Sequence, residues 1–237
     1  MNTQYGTSSV TVAQARQEAS TIFLAKVFNW MAVGLGLTGV VAYFTAQSGL
    51  AMSIVRGPIF FILVLAELGM VFYLSARIDK LQPGTATGLF VGYSVLNGLT
   101  LSTIFLAYTK ASIGGTFLIT AGMFGAMSVY GLVTKRDLSG MGSFMFMGLI
   151  GIILASVVNF FMKSSGLSWA ISVIGVLVFV GLTAWDVQRL KDIGEKGIMT
   201  QGDAAIRKGS IIGALSLYLD FINLFLMLLR FFGGSRD

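Results

Sequence analysis

SIIGALSLYLDFINLFLMLLRFF, residues 210–232, decides how the chain is read. It has 23 residues, and Asp220 is its only charge before Arg230. At about 1.5 Å per residue it crosses a hydrocarbon core of about 30 Å with a little to spare. Asp220, ten residues in, lies near mid-bilayer, where an unpaired ionised carboxylate costs several kcal/mol. Gly213, Ser216, Asp220, Asn223, Met227 and Arg230 recur at steps of 3, 4, 3, 4 and 3, which places them on one helix face. The other faces are Leu, Ile and Phe. The segment reads as a helix whose one polar stripe faces protein or water, and the rest of the chain must supply what it faces.

Composition agrees. Of 237 residues 55% are hydrophobic and 11% charged, with a mean hydropathy of +0.84. A soluble domain carries roughly 25% charged residues, so the chain reads as an all-α integral membrane protein. Thirty glycines suit close helix packing in lipid. Without cysteine or histidine there is no disulfide, no thiol nucleophile, no usual zinc or haem ligation and no Ser-His-Asp triad. The net charge of +6 follows the positive-inside bias of membrane loops. Without a basic run of five or basic-aromatic interleaving, it does not point to nucleic acid.

Residues 1–26 form a polar N-terminal segment with a short amphipathic helix over 11–26, and residues 27–237 form one membrane domain. The N-terminal segment lacks the signature of a cleaved signal peptide, so the first span is expected to act as an uncleaved anchor. Seven apolar segments follow, near 27–47, 58–76, 86–109, 112–134, 141–163, 167–188 and 210–232, with a long polar stretch over 189–209. Small-xxx-small pairs at Ala32/Gly36, Gly88/Gly92 and Ala121/Gly125 indicate packed helices. Eleven Lys and Arg fall on the N-terminal side and five on the other: Arg56, Lys110, Lys163, Arg230 and Arg236. The N-terminus is therefore expected in the cytoplasm.

Three acidic residues lie in or at the edge of spans: Glu67, Asp186 and Asp220. Asp186 closes the sixth segment and shares a face with Ser172, Gly175, Phe179 and Thr183. Two carboxyls on adjacent antiparallel helices in low dielectric cannot both ionise cheaply, so they are expected to share a proton. By depth the two look offset, and they meet only if the sixth helix runs on toward Lys191 or the seventh starts later. The competing reading makes Asp186 a marker of the membrane edge beside Arg189 and Lys191. Glu67 sits mid-span and is expected to face the bundle. Arg77, about 80° round the same helix, either snorkels to headgroups or offsets the pair's charge. Ser216 and Asn223 support the acidic face, and Asn97 and Asn159 read as interhelical hydrogen-bonding groups. GMGSFMFMG, 140–148, reads as packing rather than a metal route.

LTAWDVQRLKDIGE (182–195) and GALSLYLDFINLFLMLLRFFG (213–233), with AGMFGAMSVYGLVTKRDLSGMG (121–142), resemble the Bax inhibitor-1 family, most closely its bacterial branch. The likeness runs from about residue 20 to the end. It implies a seven-helix bundle with the last helix central, in a bacterial inner membrane. It also implies a proton-sensitive calcium leak, and in eukaryotic members suppression of cell death. Asp186 and Asp220 match the family's paired acidic residues. Glu67 and Arg77 lie near a glutamate and a basic residue of the second helix that some members use.

The expected function is therefore a pH-sensitive calcium or cation leak gated by Asp186 and Asp220, which also offer carboxylate oxygens to Ca2+ as permeant or bound ion. The expected partners are the bilayer, Ca2+ and protons, with no other cofactor. The alternative is a non-conducting regulator that binds another membrane protein, such as a quality-control protease. An enzyme is not expected. Intramembrane aspartyl proteases carry GxGD at the second aspartate, and here Tyr218-Leu219 precede Asp220.

Overall fold

The computed structural model describes residues 4–234, and of residues 4–11 and 13 the backbone alone. Arg236, used above for orientation, lies outside the described residues, as do the first three residues of the N-terminal segment. Among the described residues all regular structure is helical: α1 (Gln4–Gln47), α2 (Leu50–Arg56), α3 (Ile59–Arg77), α4 (Pro83–Leu101), α5 (Ile104–Ala107), α6 (Lys110–Val133), α7 (Ser139–Met162), α8 (Ser165–Glu195) and α9 (Asp203–Phe232), with two 3-10 turns at Ile78–Lys80 and Ile198–Thr200. Seven stretches are long and apolar enough to cross a membrane, with α4 and α5 sharing one. The protein is an all-α membrane bundle embedded in the lipid bilayer.

α9 packs against α1, α4, α6 and α8. Of its apolar stretch 67% is buried, against 6% for α3 and for α7. Phe72, Phe161 and Leu154 on those outer helices are exposed, as lipid-facing side chains should be. Because lipid is as apolar as the core, the bundle is held by close packing and interhelical hydrogen bonds rather than by hydrophobic burial.

The close approaches do not fall at the small-xxx-small pairs. A side chain added at Gly36, Gly88 or Gly125 would meet nothing within 4 Å. Instead Gly131 lies against the Ala184 carbonyl, Gly142 against the Trp185 ring, and Gly98 where an added Cβ would sit 2.8 Å from the Thr38 carbonyl oxygen. The motif finds spacing along one helix; contact depends on what stands opposite.

Three element boundaries differ from the sequence reading. The amphipathic helix of 11–26 is not separate but continues into the first span, because no Gly or Pro interrupts residues 14–33 and Phe23 and Val27 are fully buried. α4 stops at Leu101 and the chain resumes as α5. Ser102 and Thr103 donate their hydroxyls to the Leu99 and Thr100 carbonyls (2.6 and 2.8 Å), satisfying backbone groups freed by the break.

α8 does not end at 188 but runs to Glu195. Its last turns are charged on one side and packed on the other: Leu190 is 2% exposed, and Gly194 lies against Ser20. The polar stretch 189–209 shrinks to a seven-residue connection, 196–202, turned by Gly197 (φ 95°) and Gly202 (φ 87°). On the α6–α7 connection, hydrogen bonds from the Ser139 hydroxyl and backbone N–H hold the exposed Asp137 carboxyl below its usual range.

Candidate functional site

The extension of α8 past 188 lets the two aspartates meet. α8 and α9 run antiparallel, and a helix that continues below Asp186 can present it one turn inside the bundle rather than at its edge. Asp186 is 7% exposed and Asp220 5%. Their carboxyl groups are within hydrogen-bonding reach of one another.

The counter-charge comes from α8 itself. Arg189 Nη2 lies 3.0 Å from Asp186 Oδ1, one turn on at i+3, and 3.4 Å from Ser216 Oγ on α9. Its guanidinium also stacks over the Trp185 ring at 4.9 Å, and Trp185 is wedged against Gly142 of α7. Among the described residues Arg189 is the one cation in ion-pair range of either carboxyl. This corrects two expectations. Asp186 does not merely mark the membrane edge, and Arg77 does not offset the pair. Arg77 sits exposed at the end of α3 with no side-chain hydrogen bond or ion pair among the described residues, because α3 packs on α2 and α4 and does not reach α8. Ser216 does support the site, through Arg189. Asn223 does not touch the pair; it donates to Leu219 of its own helix (2.8 Å) and faces a groove one turn outward.

The site carries polar atoms that the protein leaves unmatched. Asp220 Oδ2 and Arg189 Nε are buried with no hydrogen-bond partner among the described residues, and the Arg189–Asp186 contact, though short, is not aligned as a hydrogen bond. Asp186 Oδ1 is likewise unmatched, and a single proton held between the two carboxyls would leave one net negative charge beside Arg189. As a resident calcium site the arrangement falls short. Calcium takes six to eight oxygens. Among the described residues no three acidic side chains converge, and Arg189 stands where a cation would approach Asp186.

The pair is closed toward the basic end of the bundle. Gln188 accepts from Leu138 N–H (2.8 Å) and donates to the Arg136 carbonyl (2.8 Å), Lys191 Nζ caps the Leu132 carbonyl (2.9 Å), and Ser20 Oγ donates to the Lys191 carbonyl (3.0 Å). Toward the other end lie two adjoining indentations of about 510 and 610 Å³. The first is a mostly apolar groove in which the exposed Phe61 and Phe161 stand with Phe179, Asn223 and Met227; the second is lined by Asn159, Ser168, Ser172 and Arg230, and they share Ser156 and Phe160. Asn159 bonds Ser168 (2.6 Å), joining α7 to α8 as expected. Met145 packs on Gly181, in keeping with a packing role for 140–148.

Glu67 enters a second polar network. It accepts from Asn97 Nδ2 (3.1 Å) and Thr100 Oγ1 (2.5 Å) on α4. Asn97 Oδ1 accepts from the Tyr218 hydroxyl (3.1 Å), which also meets Thr38 Oγ1 (2.7 Å) on α1. Tyr218 is fully buried, edge-on to Phe90 and Tyr93. It lies about 200° round α9 from Asp220. The last helix thus has polar groups on two opposite faces, and the sequence reading saw one. A tyrosine in a run of Leu, Ile and Phe does not stand out as polar, and its partners Thr38 and Asn97 lie on other helices, so only packing brings the three together.

Tyr218→Phe is expected to destabilise the bundle by about 1–3 kcal/mol, since two interhelical bonds at about 0.6 to 1.7 kcal/mol each are lost and Asn97 is left short of a donor. Reversible unfolding in mixed micelles measures this. An unchanged unfolding free energy would show that the hydroxyl does not tie α1, α4 and α9 together.

Comparison with known proteins places this architecture. Residues 21–237 match the family described as Inhibitor of apoptosis-promoting Bax1. The chain is 56% identical over 230 residues to the inner membrane protein YbhL of Escherichia coli K12, covering 96% of this chain and 97% of that one. It is 50% identical over 218 residues to a protein of Deinococcus radiodurans, covering 91% of each, and 46% identical over 233 residues to one of Borreliella burgdorferi, covering 96% and 99%. Both are described only as uncharacterized. The chain belongs to the Bax inhibitor-1 family.

Proposed function

We propose that this member of the Bax inhibitor-1 family is a pH-sensitive cation leak of the bacterial inner membrane, gated by the proton that Asp186 and Asp220 share. The observation that carries the reading is the meeting of two buried carboxyls and one guanidinium between α8 and α9. Ionisable groups inside a membrane are costly, so a cluster of three at a helix seam supports a functional role. The polar side chains Asn159, Ser168, Ser172 and Arg230 in the indentation at the far end support an approach from that side, with the packed α6–α7 connection as the closed end. Ca2+ is the expected cargo, a hard cation that carboxylate and carbonyl oxygens recognise. Conduction is passive, and the pair gates rather than catalyses.

The mechanism follows from charge. With one proton, the pair carries a single negative charge balanced by Arg189, and α8 and α9 stay together. Losing that proton leaves two facing carboxylates with one cation, and repulsion in a poorly hydrated site drives the helices apart. Gaining a second proton leaves Arg189 unpaired, but its side chain is 41% exposed and can turn to water, so acid strains the closed state less. Flux is therefore expected to rise with pH. Purified protein in liposomes, with calcium entry followed at pH 6, 7 and 8, tests this; no flux at any pH above protein-free liposomes would reject the leak.

The inner-membrane assignment follows the location in the name of YbhL. The orientation rests on the charge bias, with Arg189, Lys191, Lys196, Arg207 and Lys208 near the α8–α9 connection. A reporter inserted at Gly202 is expected to behave as cytoplasmic; an external reading would invert the compartment each end of the pair faces.

A further inference from the structure

We propose that a cleft between α1 and α9, at the basic end of the bundle, binds the phosphate of an anionic phospholipid headgroup through Lys26 and Arg207. The cleft measures about 260 Å³ and is lined by Lys26, Trp30, Asp203, Ile206, Arg207 and Ser210. It sits where both helices pass from polar to apolar sequence: Lys26 precedes the apolar run that starts at Val27, and Ser210 opens that of α9. A lipid phosphate lies at this depth.

Neither cation is spent inside the protein. Among the described residues the ion pairs are Arg189–Asp186 and Lys191–Glu195, so no carboxylate lies in ion-pair range of Lys26 or Arg207, although Asp203 lines the same cleft. Arg207 is nevertheless held in place: its Nε donates to Thr87 Oγ1 of α4 at 3.1 Å, and the terminal nitrogens of the guanidinium have no protein partner among the described residues. Arginine so fixed suits phosphate, whose oxygens match the fork of donors. Below the two cations the wall turns apolar. Trp30 is pinned edge-on to Phe90 at 6.5 Å, and Ile206 is buried. Tryptophan with its ring toward the acyl chains and cations at headgroup level is the usual side-chain layering of a membrane interface.

The neighbouring cleft at the same end makes the contrast. It is lined by Arg16 and Lys196 but also by Asp192 and Glu195, so its charges cancel within the protein. The Lys26–Arg207 cleft holds two cations against one carboxylate, and it alone of the two has an apolar floor. Attraction of each surface cation to anionic lipid gives a preference on the order of tenfold for phosphatidylglycerol over phosphatidylethanolamine once Asp203 is allowed for.

Native mass spectrometry of the full chain, titrated with phosphatidylglycerol, phosphatidylethanolamine or inorganic phosphate, tests the assignment. Wild type is expected to retain phosphatidylglycerol about tenfold more tightly than phosphatidylethanolamine. Lys26→Gln/Arg207→Gln should lose that preference while keeping its phosphatidylethanolamine binding and its thermal midpoint in lipid-free detergent. Lys163→Gln, at the opposite end, should keep it. If the double variant cannot be purified, the single variants decide, each expected to lose about threefold. Equal retention of the two lipids by wild type, an undiminished preference in the variants, or displacement of the lipid by millimolar inorganic phosphate would overturn the lipid site.

Discussion

Asp220→Asn is expected to flatten the pH response of cation flux, holding it at the low level of the closed state from pH 6 to 8. An asparagine at 220 keeps the volume of aspartate and adds an N–H donor that cannot be titrated away. Facing Asp186, it reproduces the half-protonated pair: one hydrogen bond across the α8–α9 seam and one negative charge, which Arg189 matches at 3.0 Å. The wild-type gate titrates one proton, so its closed fraction changes by at most about tenfold per pH unit. The variant is expected to stay within about twofold over the same range. Asp186→Asn should flatten the response as well, though it also removes the partner of Arg189. The double variant should add little to either, because the pair acts as one titrating unit. Additive effects of the two single variants, or an Asp220→Asn protein whose flux still climbs with pH, would take the gate away from this pair and leave Asp220 a structural residue.

How much of this was legible beforehand depends on the kind of signal each residue sends. Seven spans were legible because each is an apolar run bounded by Lys, Arg, Gly or Pro, and hydropathy needs nothing else. The acidic pair was legible because an aspartate in an apolar run demands a partner, and Asp186 was the near one on an adjacent helix.

The extent of α8 was not legible. Arg189, Lys191, Asp192 and Glu195 read as the end of a span, yet a helix that leaves the membrane keeps its hydrogen bonds, and Leu190 and Gly194 still pack against α9 and α1 on its buried side. That misplaced boundary hid the counter-ion. A helix that ends at 188 leaves Arg189 in a loop and makes Arg77, on another helix, the cation to expect. With the helix continued, i+3 puts Arg189 on the face of Asp186. The Glu67–Asn97–Tyr218–Thr38 network was half legible. Glu67 and Asn97 stand out in apolar surroundings, whereas Tyr218 and Thr38 do not, and which helices they join is set by tertiary packing alone.

Arg189→Met carries the second large expectation, because it separates the guanidinium from the proton. Methionine retains the length and much of the packing of the arginine stem over Trp185 but removes the charge. Breaking a fully buried ion pair by deleting one partner costs about 3–5 kcal/mol, since the other charge is left without compensation. Here the arginine side chain is 41% exposed and the aspartate 10%, so solvent screens part of the interaction and about 1–2 kcal/mol is expected instead. The loss should fall on the closed state, where Arg189 bridges Asp186 and Ser216 across the two helices. Arg189→Met should therefore raise flux at pH 6 on the order of tenfold, toward the wild-type level at pH 8, and lower the thermal midpoint in detergent. Combining it with Asp186→Asn removes the uncompensated charge and should restore both the low flux and the midpoint. A merely structural arginine predicts a different pattern: a lower midpoint that Asp186→Asn does not repair. Wild-type flux in Arg189→Met at pH 6, or failure of the second substitution to rescue it, would show that the charge balance of Asp186, Asp220 and Arg189 is not what keeps α8 and α9 closed.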